Sequence, residues 1–139
     1  MRQIKPMGAV SVKEDKLREC YESDNYIGEK KYDGSRYIAQ KCEGKVYLTS
    51  RTESVKGGQV DKTANVPQII EEILTLPDGT VLDGEIDVPG NVRCFKFVQG
   101  VMGSLPDRAN TLQTGNQIRS LFLCIAVIIL LGIKGKKLD

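Results

Sequence analysis

The chain has 139 residues and carries 20 Lys plus Arg against 18 Asp plus Glu, a formal net charge of +2. With 40% hydrophobic and 27% charged residues, it has the make-up of one globular domain or a piece of one, which excludes a disordered, collagenous or coiled-coil chain. It contains no histidine, so His-based metal sites and Ser-His-Asp or Cys-His catalysis are excluded.

The charge is uneven. Residues 1–60 hold 12 basic and 9 acidic side chains, whereas residues 61–139 hold 8 and 9, which permits a polyanionic partner on the N-terminal half. Cys20, Cys42, Cys94 and Cys124 form no C-x-x-C pair, which fits buried free thiols in a reducing cytoplasm better than a zinc ribbon or a redox motif. The first six residues lack the apolar core of a signal peptide. The longest apolar run, residues 121–133, is shorter than the roughly 18 to 20 residues that span a bilayer, so no membrane partner is expected.

In chain order, Val12, Leu17 and Tyr21 fall at near-helical spacing among charges and predict a short surface helix within residues 10–23. Three β-type stretches follow at 26–32, 36–42 and 45–49, with Asp33-Gly34 and Glu43-Gly44 as turns of an antiparallel meander. Residues 51–63 are polar and contain Gly57-Gly58, which predicts a mobile loop. Asn65 can cap a helix with Pro67 in its first turn and Ile69, Ile70, Ile73 and Leu74 as its apolar face, ended by Pro77-Asp78-Gly79. Strands are expected at 81–88 and 95–98, a helix and a polar loop within 106–119, and a strand buried on both faces at 121–133 before a hairpin turn at Lys134-Gly135. The sum is an α+β chain of mostly antiparallel sheets with flanking helices.

The chemistry concentrates in Glu29-Lys30-Lys31-Tyr32-Asp33-Gly34-Ser35-Arg36. On a strand Glu29 and Lys31 share a face and Asp33 opens the turn beside them. A lysine amine attacks only when neutral, and at a reference pKa of ~10.4 almost none is neutral at pH 7, so nearby positive charge or desolvation is required. Lys30, Arg36 and Arg51, or a bound metal ion, could supply that charge. Read without further context, the stretch is equally a solvated, charge-rich hairpin.

The pattern K-x-D-G-x-R, carried by Lys31, Asp33, Gly34 and Arg36, resembles motif I of the covalent nucleotidyltransferases: ATP-dependent DNA ligases, RNA ligases and mRNA capping enzymes. Ser50-Arg51 resembles motif Ia, and Leu82-Asp83-Gly84-Glu85-Ile86 resembles motif III, with Asp83 and Glu85 on one strand face and Leu82 and Ile86 directed to the core. Lys5-Pro6-Met7 and Gly100-Val101-Met102-Gly103-Ser104 look like segments of compact bacterial and phage DNA ligases. Arg36, where NAD-dependent ligases commonly carry Ala, and the lack of a cysteine zinc site argue against that branch.

The resemblance implies an incomplete nucleotidyltransferase (ATP-grasp-like) adenylation domain, with residues 1–139 its N-terminal part and no oligonucleotide-binding domain. It implies ATP and Mg2+ (or Mn2+) as cofactors and nicked duplex DNA as partner, in a cytoplasmic enzyme of bacterial, phage or viral type serving DNA repair or replication. Lys31 would attack the α-phosphate of ATP and hold AMP. Glu29 would accept from the adenine amino group, Asp33 and Gly34 would complete the nucleotide-binding turn, Arg36 and Arg51 would bind ribose and phosphates, and Glu85 would face the ribose or the metal.

Two departures accompany the resemblance. The motif IIIa aromatic position falls on Val127, followed by Ile128, and motifs IV and V have no counterpart before Asp139. Alternatives therefore stay open: a ligase-like nucleotide- or DNA-binding protein without catalysis, or an RNA ligase or capping guanylyltransferase. Oligomeric state is not encoded legibly.

Overall fold

The computed structural model describes residues 4–6, 8–28, 30–90, 94–117 and 120–129, with side chains at all of these except 94 and 123–129. The described elements run α1 (Glu14–Tyr21), β1 (Ser35–Cys42), β2 (Lys45–Glu53), β3 (Gln59–Asp61), a 3₁₀ turn (Thr63–Asn65), α2 (Pro67–Ile73), β4 (Val81–Asp87), α3 (Cys94–Gly103), α4 (Pro106–Gly115) and β5 (Leu121–Ile129). The five strands form one sheet in the order β3-β2-β1-β4-β5, and every neighbouring pair is antiparallel. This is the α+β architecture expected.

The period-2 alternation sorts the sheet into two faces. Tyr37, Ala39, Val46, Leu48, Leu82 and Ile86 point to the side where Val66, Ile69 and Ile73 of α2 and its approach, Val98, Val101 and Met102 of α3, and Ala109 of α4 complete the core. Burying each such aliphatic side chain contributes about 1.5–3 kcal/mol. Arg36, Ile38, Gln40, Thr49, Val81, Asp83 and Glu85 stand on the opposite face, by register with β1 at the centre.

The Glu43-Gly44 turn joins β1 and β2, with both residues in the left-handed region (φ 51° and 71°) that a tight hairpin demands. Lys41 of β1 reaches across to cap α2, its Nζ donating to the carbonyls of Leu74 (2.8 Å) and Leu76 (2.7 Å), where the helix dipole favours a cation. A polar hinge of amides ties the helices together. Gln113 donates to the Asn65 carbonyl (2.9 Å) and accepts from Gln68 (2.8 Å) and from the Ser120 N–H (3.1 Å).

Several expectations need correction. The described residues of 26–32 form no strand, because β1 is already paired on both edges by β2 and β4, and Tyr26 and Ile27 stay exposed. Lys31 therefore precedes the sheet and does not share a strand face with a neighbour. Residues 51–63 are not a loop throughout: β2 continues to Glu53, and Gly57 and Gly58, both at positive φ, turn the chain back into β3.

Asn65 does not cap α2, which begins at Pro67 with Val66 at the cap position. Its side chain instead donates to the carbonyls of Val101 (2.8 Å) and Ser104 (3.0 Å). Residues 95–98 are helical, since Val98, Val101 and Met102 recur at i, i+3 and i+4 and bury one side of α3. In the described sheet β5 pairs with β4 alone and Leu121 is exposed, while the rest of the side chains of the strand expected to be buried on both faces, beyond Phe122, lie outside the described residues. The turn expected at Lys134-Gly135 lies outside the described residues. Cys20 and Cys42 are free and half-buried.

Candidate active site

The bend at Asp33-Gly34 delivers the chain into β1, directly against β4. A Cβ on Gly34 would overlap the Ile86 carbonyl oxygen and come within 2.8 Å of Glu85 Cγ, so only glycine permits this approach. The same closeness lets the Gly34 N–H donate to the Glu85 carboxylate. Glu85 is the register partner of Arg36, but Arg36 reaches diagonally to Asp83, donating from Nε to Oδ1 (2.8 Å) and from Nη2 to Oδ2 (2.5 Å).

Electrostatics follow from this packing. The hydrogen bond to Asp83 holds the Arg36 guanidinium above its ordinary value, against the opposing effect of burial and with help from the charges of Asp83 and Glu85. Burial pushes the Glu85 carboxyl upward, opposed by the Gly34 N–H, Lys31 and Arg36 and reinforced by Asp87. Tyr37 is also raised by burial, against a hydrogen bond with Ser35.

These elements enclose a cleft of about 1070 Å³, at the upper end of the volumes typical of small-molecule sites. Lys30, Lys31 and Gly34 enter it from the approach to β1, and Arg36 and Tyr37 from β1 itself. Ser50 and Arg51 come from β2, Glu85 from β4, and Lys62 from the segment after β3. Phe95 and Gln99 of α3 and Phe122 of β5 close the remaining side. Five cationic side chains thus meet one carboxylate, Glu85, in a setting that suits a polyanion such as a nucleotide triphosphate.

Of the residues singled out from sequence, Lys31, Gly34, Arg36, Arg51 and Glu85 converge on the cleft. Asp33 stands in the bend and is not among its lining residues, Glu29 lies outside the described residues, and Asp83 serves as the partner of Arg36. Val127 is paired in register with Leu82, and its side chain lies outside the description. Sequence reading missed Lys62, Phe95, Gln99 and Phe122. The i, i+3, i+4 apolar spacing of residues 98–102 was the signal that would have placed Phe95 and Gln99 on a helix.

The amino-terminal segment is anchored nearby. Gln59 donates to the Ile4 carbonyl (2.8 Å), and Lys5 pairs with Glu53 at the end of β2. Lys5-Pro6 is therefore tied to the β2–β3 hairpin. Lys30 lies over the Tyr32 ring at 5.2 Å from its centroid, a cation–π contact at the cleft entrance.

Lys31 and Arg36 of the K-x-D-G-x-R segment, Arg51 on the next strand and Glu85 of the D-G-E strand thus line one cationic cleft. The family profile described as "ATP dependent DNA ligase domain" matches residues 6–130, and the chain belongs to that family. It is 36% identical over 72 residues to the SPbeta prophage-derived DNA ligase-like protein LigB of Bacillus subtilis (strain 168), a match covering 52% of this chain and 24% of that protein. The chain thus aligns with about a quarter of that relative's length. No helix among the described residues is long and apolar enough to cross a membrane.

Proposed function

We propose that this chain carries the nucleotide-binding part of an ATP-dependent DNA ligase, in which Lys31 becomes covalently linked to AMP for the sealing of nicks in duplex DNA during repair or replication. The observation that carries this reading is the convergence of Lys31, Arg36, Arg51 and Glu85, from three separate stretches of chain, on one cleft. In the proposed step the neutral Lys31 amine forms an N–P bond to the α-phosphorus of ATP. The bond from that phosphorus to the bridging oxygen breaks, pyrophosphate leaves, and the amine releases a proton. Arg51 and Lys62 face the phosphates, and Arg36, fixed by Asp83, presents a guanidinium whose orientation does not have to be reorganised as charge develops.

The family implies a divalent cation. Glu85 is the one carboxylate lining the cleft, and no cluster of three or more His, Cys, Asp or Glu side chains occurs among the described residues. That donor set fits Mg2+, which commonly binds through one or two carboxylates together with substrate phosphates and water. Glu85 would hold it, and when bound it would neutralise phosphate charge. The chain's own cations and the Gly34-braced carboxylate supply the rest of the positioning.

Incubation with α-labelled ATP and Mg2+, followed by peptide mapping, tests the reading. Label is expected on the peptide containing Lys31 and absent from Lys31→Ala and Lys31→Arg, because a guanidinium stays protonated. Label on Lys30, or label that survives Lys31→Ala, would overturn it.

A further inference from the structure

The ladder between β1 and β2 ends at Tyr37 and Ser50, yet β2 runs on through Arg51, Thr52 and Glu53, where Glu53 pairs with Gln59 of β3. Residues 51–59 thus form a two-stranded ribbon that extends past the last pair made by β1, and every residue from Arg51 to Gly58 except Ser54 is exposed. The ribbon has a fixed shape. At its tip Ser54 donates from its N–H to the Gly58 carbonyl (2.8 Å) and from Oγ to the Gly57 carbonyl (2.9 Å), and the Gly57 N–H donates back to the Ser54 carbonyl (2.9 Å). At its base the amino-terminal segment braces both strands, through the Ile4 carbonyl on Gln59 and Lys5 on Glu53. Packing does not account for a segment that buries so little of itself.

We infer that this ribbon is a docking arm for the sugar–phosphate backbone of duplex DNA, which guides the duplex onto the cleft at its base. This rests on the reading that the chain serves nicked duplexes. Arg51, at the root of the ribbon, lines the cleft, and Lys56 stands exposed at the tip. Glu53, the one acid among residues 51–59, is taken up by Lys5, so the arm presents an excess of positive charge to a polyanion. Gly57 and Gly58, at φ 85° and 78°, carry no side chains, so a phosphate strand can approach the backbone of the tip closely. Residues 51–59 contain no aromatic ring on which an unpaired base could stack, which favours a duplex over a single strand. Val55 is their one large apolar side chain, too little for the apolar centre that a protein partner would fill. Contacts to phosphate carry no base information, which suits the sealing of nicks in any sequence.

Val55 is fully exposed and the chain contains no tryptophan, so Val55→Trp places a unique indole on the tip without touching the core. Saturating nicked duplex DNA is expected to shield this indole from quenching by acrylamide, whereas ATP, or a single strand of the same length, is expected to leave it quenchable. Lys56→Ala is expected to lower the slope of log affinity against log salt for the duplex by about one, and Lys56→Arg to restore it. Adenylation of Lys31, read by intact mass, is expected to stay at the wild-type level in both Lys56 variants. A tip indole that stays open to acrylamide under saturating duplex, equal shielding by the single strand, or an unchanged salt slope in Lys56→Ala would overturn the docking arm. The same samples separate the two levels. Adenylated protein whose tip ignores the duplex sinks the arm alone, and protein that shields its tip with duplex yet is never adenylated sinks the ATP reading and leaves the arm standing. A wild-type chain that neither binds duplex nor becomes adenylated sinks both.

Discussion

Arg36 and Asp83 are 47 residues apart in sequence and form a two-pronged pair across the β1–β4 ladder, at 2.8 and 2.5 Å, with the carboxylate side chain only 8% exposed and the guanidinium 28%. Such a pair is worth little as net attraction, but removing one partner strands the other charge away from water. Arg36→Met should therefore destabilise the chain by about 3 kcal/mol, read as a fall of roughly 10 °C in thermal midpoint. Arg36→Met with Asp83→Leu should recover most of the loss, and circular dichroism melts of the single and double variants decide it.

The approach of Gly34 to β4 predicts a second outcome. Gly34→Ala must push the Ile86 carbonyl and Glu85 away, at a cost of about 1–3 kcal/mol, and it should disturb the site more than the fold. Urea unfolding should show the moderate stability loss, while AMP attachment at Lys31 should fall by a larger factor than Ser35→Ala produces one residue on.

Glu85 predicts a pH signature. Burial, the largest influence, raises its folded carboxyl above the ordinary value of 4.5, so the folded chain keeps that proton to higher pH than the unfolded chain does. The ionised carboxylate therefore costs stability above the raised value, and the cost disappears as pH falls through it and below 4.5. Glu85→Gln keeps an acceptor for the Gly34 N–H and removes the charge. It should melt slightly above wild type at neutral pH, with the gap closing as the pH is brought below the unfolded value. AMP attachment should nevertheless fall by about tenfold or more. A wider gap in acid would contradict this.

The exposed Arg51 and its cationic neighbours predict weak, salt-sensitive binding to duplex DNA. Log affinity should fall linearly with log salt with a slope of roughly 2 to 4, and Arg51→Ala should lower that slope by about one for every DNA sequence alike. Fluorescence anisotropy across a salt series is the measurement. A flat salt response would count against this face as the contact surface.

Much of this protein was legible from local rules. Helical spacing of apolar residues marked α1 and the apolar face of α2, β-type composition between turn residues marked the paired stretches of β1 and β2, alternation marked β4, and Glu43-Gly44 marked a hairpin that needed two left-handed residues. The K-x-D-G-x-R, S-R and D-G-E segments were recognisable because each couples a backbone requirement to a side-chain type within a few residues.

What remained hidden depended on contacts between distant residues. Residues 26–32 look like a strand by composition, but β1 offers them no free edge. Residues 95–98 read as β-type only when the rest of the helix that buries Val98, Val101 and Met102 is left out of view. Asn65 has the chemistry of a cap, yet its amide satisfies the carbonyls of Val101 in α3 and of Ser104 just after it, 36 and 39 residues away. Sequence alone determined which residues could carry phosphate chemistry. The tertiary structure decided that Asp83 would hold Arg36 while Glu85 lined the cleft, and that Phe95 of α3 and Phe122 of β5 would line that same cleft, because strand register and helix docking are set by burial summed over the whole core and not by any local segment.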